Sequence, residues 1–183
     1  MSGTGICALN CCLAVDNDEG INILLEKKAP YFFEDINVRN SSPIFTAIRT
    51  QNITALEQFC DFGASLNVQN TKGETPLLFA AKNGYDSTVN YLSLRCKDLN
   101  MQDIDGHTIL MHYIEKGSLC MVRKIIIRGG DVNFRNNSGI SPIFHALRLN
   151  ASACIVDHLL SHGADPHLEN INGKDACDIL ETY

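Results

Sequence analysis

Six histidines and eight cysteines stand out in this 183-residue chain, because imidazole and thiol are the groups best suited to metal ligation and nucleophilic chemistry. His112 and His145 lie 33 residues apart, each directly after a large apolar residue, Met111 or Phe144. Two readings are open for the pair: packing and hydrogen bonding along a stack, or convergence as metal ligands or an acid–base couple. His158, His162 and His167 crowd a later stretch and read as solvated. Cys7, Cys11 and Cys12 cluster, but the other cysteines are scattered, with no Cys-x-x-Cys pair and no matching histidine spacing. Zinc is therefore the weaker reading, and small, reduced core residues of helices the stronger. Arg128-Gly129-Gly130-Asp131 lacks the lysine context of a phosphate loop and reads as the end of a helix. The prominent serines sit where helices begin. No catalytic residue, cofactor or metal ligand is assigned on this basis, and the chain is expected not to be an enzyme.

The elements that would position these groups repeat. Gly73-Glu74-Thr75-Pro76 falls on Gly106-His107-Thr108-Ile109 and then on Gly139-Ile140-Ser141-Pro142 at an offset of 33 residues. Self-similarity at that period is the signature of a solenoid. Ser42, Thr75, Thr108 and Ser141 each precede a short apolar run, with Cys7 and Asp175 in the same role near the ends. Hydroxyl and carboxylate side chains here can accept from amides of a first helical turn, and Pro43, Pro76 and Pro142 follow three of them. Each such residue predicts a helix start. Gly84 and Gly117 predict a tight reversal, after which apolar positions recur at three and four residues: Leu56, Phe59 and Cys60; Val89 and Leu92; Val122, Ile125 and Ile126; Val156, Leu159 and Leu160. Gly63, Gly129 and Gly163 predict left-handed helix ends, whereas Cys96 holds that place once and predicts slight strain. Asn70, Asp103, Asn136 and Asn170, each three residues before a glycine, predict hairpin-like turns. The link from Asn37 to Ser42 is shorter and predicts a stunted one. One extra residue near Leu149-Asn150-Ala151 is expected in a helix–helix turn.

Thr75-Pro76-Leu77-Leu78-Phe79-Ala80 resembles the ankyrin repeat motif, and Ser65-Leu66-Asn67, Asp131-Val132-Asn133 and Gly163-Ala164-Asp165 resemble the segment that closes such a repeat. The resemblance covers nearly the whole chain. It implies an all-α ankyrin solenoid of helix-turn-helix repeats with β-hairpin fingers, as a single domain over 1–183. The repeats run approximately over 4–36, 37–69, 70–102, 103–135 and 136–169, with a half-repeat cap at 170–183. The histidine that commonly follows Thr-Pro-Leu is replaced by Phe45, Leu78, Met111 and Phe144, so that the family's local hydrogen-bond network is expected to be missing. By resemblance, the binding face comprises Gln69, Thr71, Lys72, Glu74, Lys82 and Asn83 in one repeat, and Gln102, Ile104, Asp105, His107, Glu115 and Lys116 in the next. Arg135, Asn137, Ser138, Ile140, Arg148 and Leu149 continue it, followed by Ile171, Asn172 and Lys174. Ile104, Ile140 and Ile171 read either as an exposed contact stripe or as packing between fingers. Asn67, Asn100 and Asn133 close repeats; Asn100, after Asp98-Leu99, resembles a site of asparaginyl hydroxylation, and the other reading is that its amide holds the finger.

A formal net charge of -6 leaves no basic excess for phosphates, so neither nucleic acid nor an anionic membrane is the expected partner. No apolar run approaches a bilayer span, and no basic residue precedes Lys27, so no signal peptide is expected and the localisation expected is intracellular, cytoplasmic or nuclear. With almost no chain outside the repeats, activity is expected to come from binding a protein partner, as a masking inhibitor or regulator, with a two-faced adaptor as the alternative. The chain is expected to be monomeric alone.

Overall fold

The computed structural model describes residues 8–26 and 42–180. The expected helix start at Cys7, the link from Asn37 to Ser42 and the last residues of the cap lie outside these. The chain divides into two compact units, Met1–Leu92 and Ser93–Tyr183.

In the first unit, α1 (Ala8–Ala14) and α2 (Asp18–Glu26) form an antiparallel pair, followed by α3 (Pro43–Thr50) with α4 (Ile53–Asp61) and α5 (Pro76–Asn83) with α6 (Asp86–Leu92). First helices pack on first helices, α1 on α3 and α3 on α5, and α2 packs on α4. Ile44, Ile48, Leu56, Phe59, Leu78 and Leu92 are buried to 1% exposure or less. Each such side chain contributes about 1.5–3 kcal/mol on removal from water. Pro43 and Pro76 occupy the first helical turn as their fixed φ allows, and Thr75 accepts from the Leu78 amide at 3.3 Å. Ser42 makes no such cap bond. The reversal between helices needs a left-handed residue, and where no glycine is present Gln51 adopts it at φ 56.

The second unit holds α7 (Ile109–Glu115), α8 (Leu119–Ile127), α9 (Pro142–Arg148), α10 (Ala153–Ser161) and α11 (Ala176–Leu180). Here α7 packs on α9 and α9 on α11, while α8 packs on α10. Asn150 is the left-handed reversal residue at φ 52, in register with Gly117. The extra residue of this repeat is thus Ala151, between the reversal and Ser152, which precedes α10. Asp175 starts α11 by accepting from the amides of Cys177 (2.8 Å) and Asp178 (3.1 Å), while Asp178 accepts from the Asp175 amide (2.8 Å). This reciprocal arrangement is a capping box.

Three expectations are corrected. No β-strand forms among the described residues; the fingers close as hairpin-like turns. Cys96 carries no left-handed strain, because α6 ends early, at Leu92. None of the seven described cysteines is buried: Cys11, Cys120 and Cys154 are exposed and the others half-buried, six of them beside rather than on the apolar stripe of their helices and Cys96 beyond the end of α6.

Candidate functional site

Among the described residues, each of four fingers is built on one side chain. Oδ1 of Asn70 accepts from the amides of Lys72 (2.9 Å) and Glu74 (3.0 Å), and Oδ1 of Asp103 accepts from those of Asp105 (3.0 Å) and His107 (2.9 Å). Asn136 does the same for Ser138 and Ile140, and Asn170 for Asn172 and Lys174. These Asx turns satisfy amides that a strand ladder would otherwise hold. Gly106, at φ 78, completes one of them, and a Cβ there would collide with the Asn137 backbone.

Several residues expected on the binding face also join neighbouring fingers. Gln102 donates to the carbonyls of Gly106 (2.9 Å) and Arg135 (3.3 Å), and Arg135 donates to those of Gly139 (3.2 Å) and Glu169 (2.7 Å). Asn137 donates to the Ile104 carbonyl at 3.0 Å. Asn100 accepts from the Asp131 amide and Asn133 from the Asp165 amide, each at 2.8 Å. Oδ1 of Asn100 thus holds the adjoining repeat.

The isoleucines separate. Ile104 and Ile171, each two residues before a turn glycine, are 70% and 71% exposed. Ile140 is only 8% exposed, because it follows its glycine and shares the register of Glu74 and His107 rather than that of the other two. Glu74 is also buried, taking 2.7 Å and 3.1 Å contacts from Asn70 and Lys82. Thr71, Lys72, Asp105, Lys116, Ser138, Leu149 and Asn172 are exposed.

The registers of Glu74, Phe79 and Lys82 recur as His107, His112 and Glu115, and again as Ile140, His145 and Arg148. In the middle copy they converge. Nε2 of buried His112 donates to Oδ2 of Asp103 at 3.0 Å, and its Nδ1 lies 3.5 Å from Oε2 of Glu115. Nδ1 of His107 is 3.7 Å from Oε1 of Glu115, which also accepts from Nε2 of His145 at 3.0 Å. The His107 ring meets those of His112 and His145 edge to face, at centroid distances of 5.6 and 5.2 Å. Burial holds the His145 pKa below the usual imidazole value; Glu115 opposes that shift, and His107 and Arg148 add to it. Sequence reasoning placed His112 and His145 along a stack but missed Asp103 and Glu115 as their partners. The signal was an aspartate where the other three fingers carry asparagine. His158, expected to be solvated, is half-buried with its ring 4.1 Å from that of His162. His167 lies 3.1 Å from Asp175, and with Cys177 these form a second convergent group, more exposed than the first.

A sequence model described as ankyrin repeats (3 copies) matches residues 9–103 and 77–170. The chain is 32% identical over 80 residues, 42% of its length, to a putative ankyrin repeat protein of Rickettsia bellii (strain RML369-C), of which it covers 47%. It is 32% identical over 60 residues, 33% of its length, to the palmitoyltransferase ZDHHC13 of Homo sapiens, of which it covers 10%. The chain thus spans about a tenth of one of these curated relatives and under half of the other. Among solved structures, an ankyrin repeat domain from Acinetobacter baumannii AYE matches with a TM-score of 0.82 at 28% identity, covering 95% of this chain and 90% of that one. A second ankyrin repeat protein matches in fold with a TM-score of 0.80 at 23% identity, covering 97% and 92%.

Proposed function

Because this chain belongs to the ankyrin repeat family, whose repeats generally serve protein–protein interaction, we propose that it binds a partner protein through its finger tips and masks that partner's surface, as an inhibitor or regulator. The observation that carries this reading is the pair Ile104 and Ile171, same-register turn residues 70% and 71% exposed and flanked by polar Asp105 and Asn172. A β-branched apolar side chain has no conformational reason to occupy a turn tip, whereas apolar anchors with a polar rim are what protein contacts use. The test is affinity capture from native extract with the wild type and an Ile104→Asp, Ile171→Asp double variant, folding being checked by circular dichroism and urea melting. Loss of one partner with the fold intact supports the reading. Capture of the same set by both proteins overturns it.

A bridging adaptor is the second reading, favoured by a separate row. Leu94, Ile127 and Leu160 recur at the 33-residue spacing and are 68%, 77% and 45% exposed. They lie at the ends of second helices or just beyond, away in sequence from the finger tips. If both rows bind, a ternary pull-down recovers two partners at once; if binding of either partner excludes the other, the adaptor reading fails.

A further inference from the structure

We propose that His107, His112 and Glu115 form a binding site for a zinc ion, with Asp103 and His145 as positioning residues. The donor atoms of the three lie within 4.8 Å of one another. Nδ1 of His107 and Nδ1 of His112 stand 3.7 and 3.5 Å from the two Glu115 oxygens, long for hydrogen bonds. Ligand atoms about 2.1 Å from a tetrahedral zinc lie about 3.4 Å apart, so small side-chain adjustments close these gaps onto one ion.

Two outer contacts fit the same chemistry. A ligating imidazole commonly donates its other ring N–H to a carboxylate, which fixes the tautomer and leaves the first nitrogen's lone pair for the metal. Asp103 Oδ2 takes that N–H from His112 at 3.0 Å and directs Nδ1 toward Glu115. On the other side Arg148 donates to Nδ1 of His145 at 3.4 Å, so Nε2 carries the proton and donates to Oε1 of Glu115 at 3.0 Å. His145 therefore orients the carboxylate and is not itself a ligand.

The supports are firm ones. His112 and Glu115 are three residues apart on α7 and share a face. His107 arrives from the finger, its amide held by the same Asp103 at 2.9 Å. Two imidazoles with one carboxylate suit zinc and its first-row neighbours, whereas calcium and magnesium require oxygen ligands throughout. Three protein ligands leave a fourth position for water, and the 39% exposure of the Glu115 side chain gives the ion a route in.

The test is calorimetric titration of zinc chloride into the full chain, kept reduced with a phosphine, for the wild type and for His107→Ala, Glu115→Gln, Asp103→Asn and His167→Ala. The last removes a member of the His167, Asp175 and Cys177 group. One equivalent should bind, at least tenfold more weakly after His107→Ala or Glu115→Gln, ten- to a hundredfold more weakly after Asp103→Asn, and unchanged after His167→Ala. Cobalt absorption by the wild type, which needs no variant to fold, should show tetrahedral bands. Absence of saturable zinc binding overturns the proposal, as do wild-type affinity in both His107→Ala and Glu115→Gln, loss of the equivalent after His167→Ala alone, and a cobalt spectrum without tetrahedral bands.

Discussion

Asp103 and His112, nine residues apart, meet at 3.0 Å with the aspartate side chain fully buried and the imidazole 7% exposed. One carboxylate thereby serves two structures: Oδ1 holds its finger and Oδ2 holds the first helix of the same repeat. The other fingers do the first task with asparagine. Asp103→Asn should therefore keep the turn and lose only the charge-assisted bond, at a cost of about 1.5–3 kcal/mol. Asp103→Ala, which also strands the amides of Asp105 and His107, should cost roughly twice that by urea unfolding. Equal losses in the two variants would show that the finger does not depend on this oxygen.

The three finger isoleucines should behave as two classes. Ile140→Asp places a carboxylate where the side chain is 8% exposed and should destabilise by about 3 kcal/mol or more. Ile104→Asp and Ile171→Asp, at 70% and 71% exposure, should each stay within about 0.5 kcal/mol of the wild type. Urea midpoints check this, and a large loss at Ile104 would mean that its side chain is packed.

Gly106 and Gly117 both have positive φ, 78 and 65, but only Gly106 has a neighbour in the way. Alanine at Gly117 should cost about 1 kcal/mol for the left-handed backbone alone. Alanine at Gly106 should cost more, because the finger containing Asn137 must also move. Thermal unfolding of the two variants that ranked them equal or reversed would contradict the close approach.

Asp175 has its carboxyl pKa depressed, chiefly by the Asp178 amide and next by His167. A depressed carboxylate stabilises the fold above its unfolded pKa, and that contribution fades as pH falls through the folded value. The α11 cap should thus loosen on acidification below the ordinary carboxylate range while remaining constant near neutrality. Hydrogen exchange at the Cys177 and Asp178 amides should quicken there, relative to an Asp175→Asn variant measured at the same pH. Identical pH profiles in the two proteins would remove Asp175 as the cause.

The repeat was legible because local chemistry fixes it: prolines at helix starts, the capping hydroxyls of Thr75 and Ser141, glycines at reversals and asparagines at fingers act through neighbours a few residues away. The isoleucine register was misread because a residue before the turn glycine and one after it look alike in composition, yet the turn sends them to opposite environments. Ile104 and Ile140 differ in just this way. The convergence on Glu115 was legible only in part: the resemblance set His107 and Glu115 on one face and the spacing set His112 and His145 along a stack, but nothing joined the two. His107 does not belong to α7, and only the folded finger returns it to the helix edge where His112 and Glu115 stand. His145 comes from the following repeat, 30 residues away in sequence. Side-chain convergence across repeats depends on how they stack, which periodicity predicts only as a spacing.

The bonds that join consecutive repeats have an asymmetry with an evolutionary consequence. In four of them Asn100, Gln102, Asn133 and Arg135 supply the side chain, while the following repeat supplies only main chain, at residues 131, 135, 165 and 169. A main-chain carbonyl is present whatever residue carries it, and an amide is lost only to proline. At these four bonds a repeat can therefore accept a diverging successor, or a duplicated one, without a matching change of its own, whereas Asn137, which donates back to the Ile104 carbonyl, and His145, which meets the Glu115 side chain, must be kept in step with their neighbours. Those four bonds tolerate drift on one side, leaving the outward positions of the receiving repeat that make no bond back free to be reshaped toward a new partner.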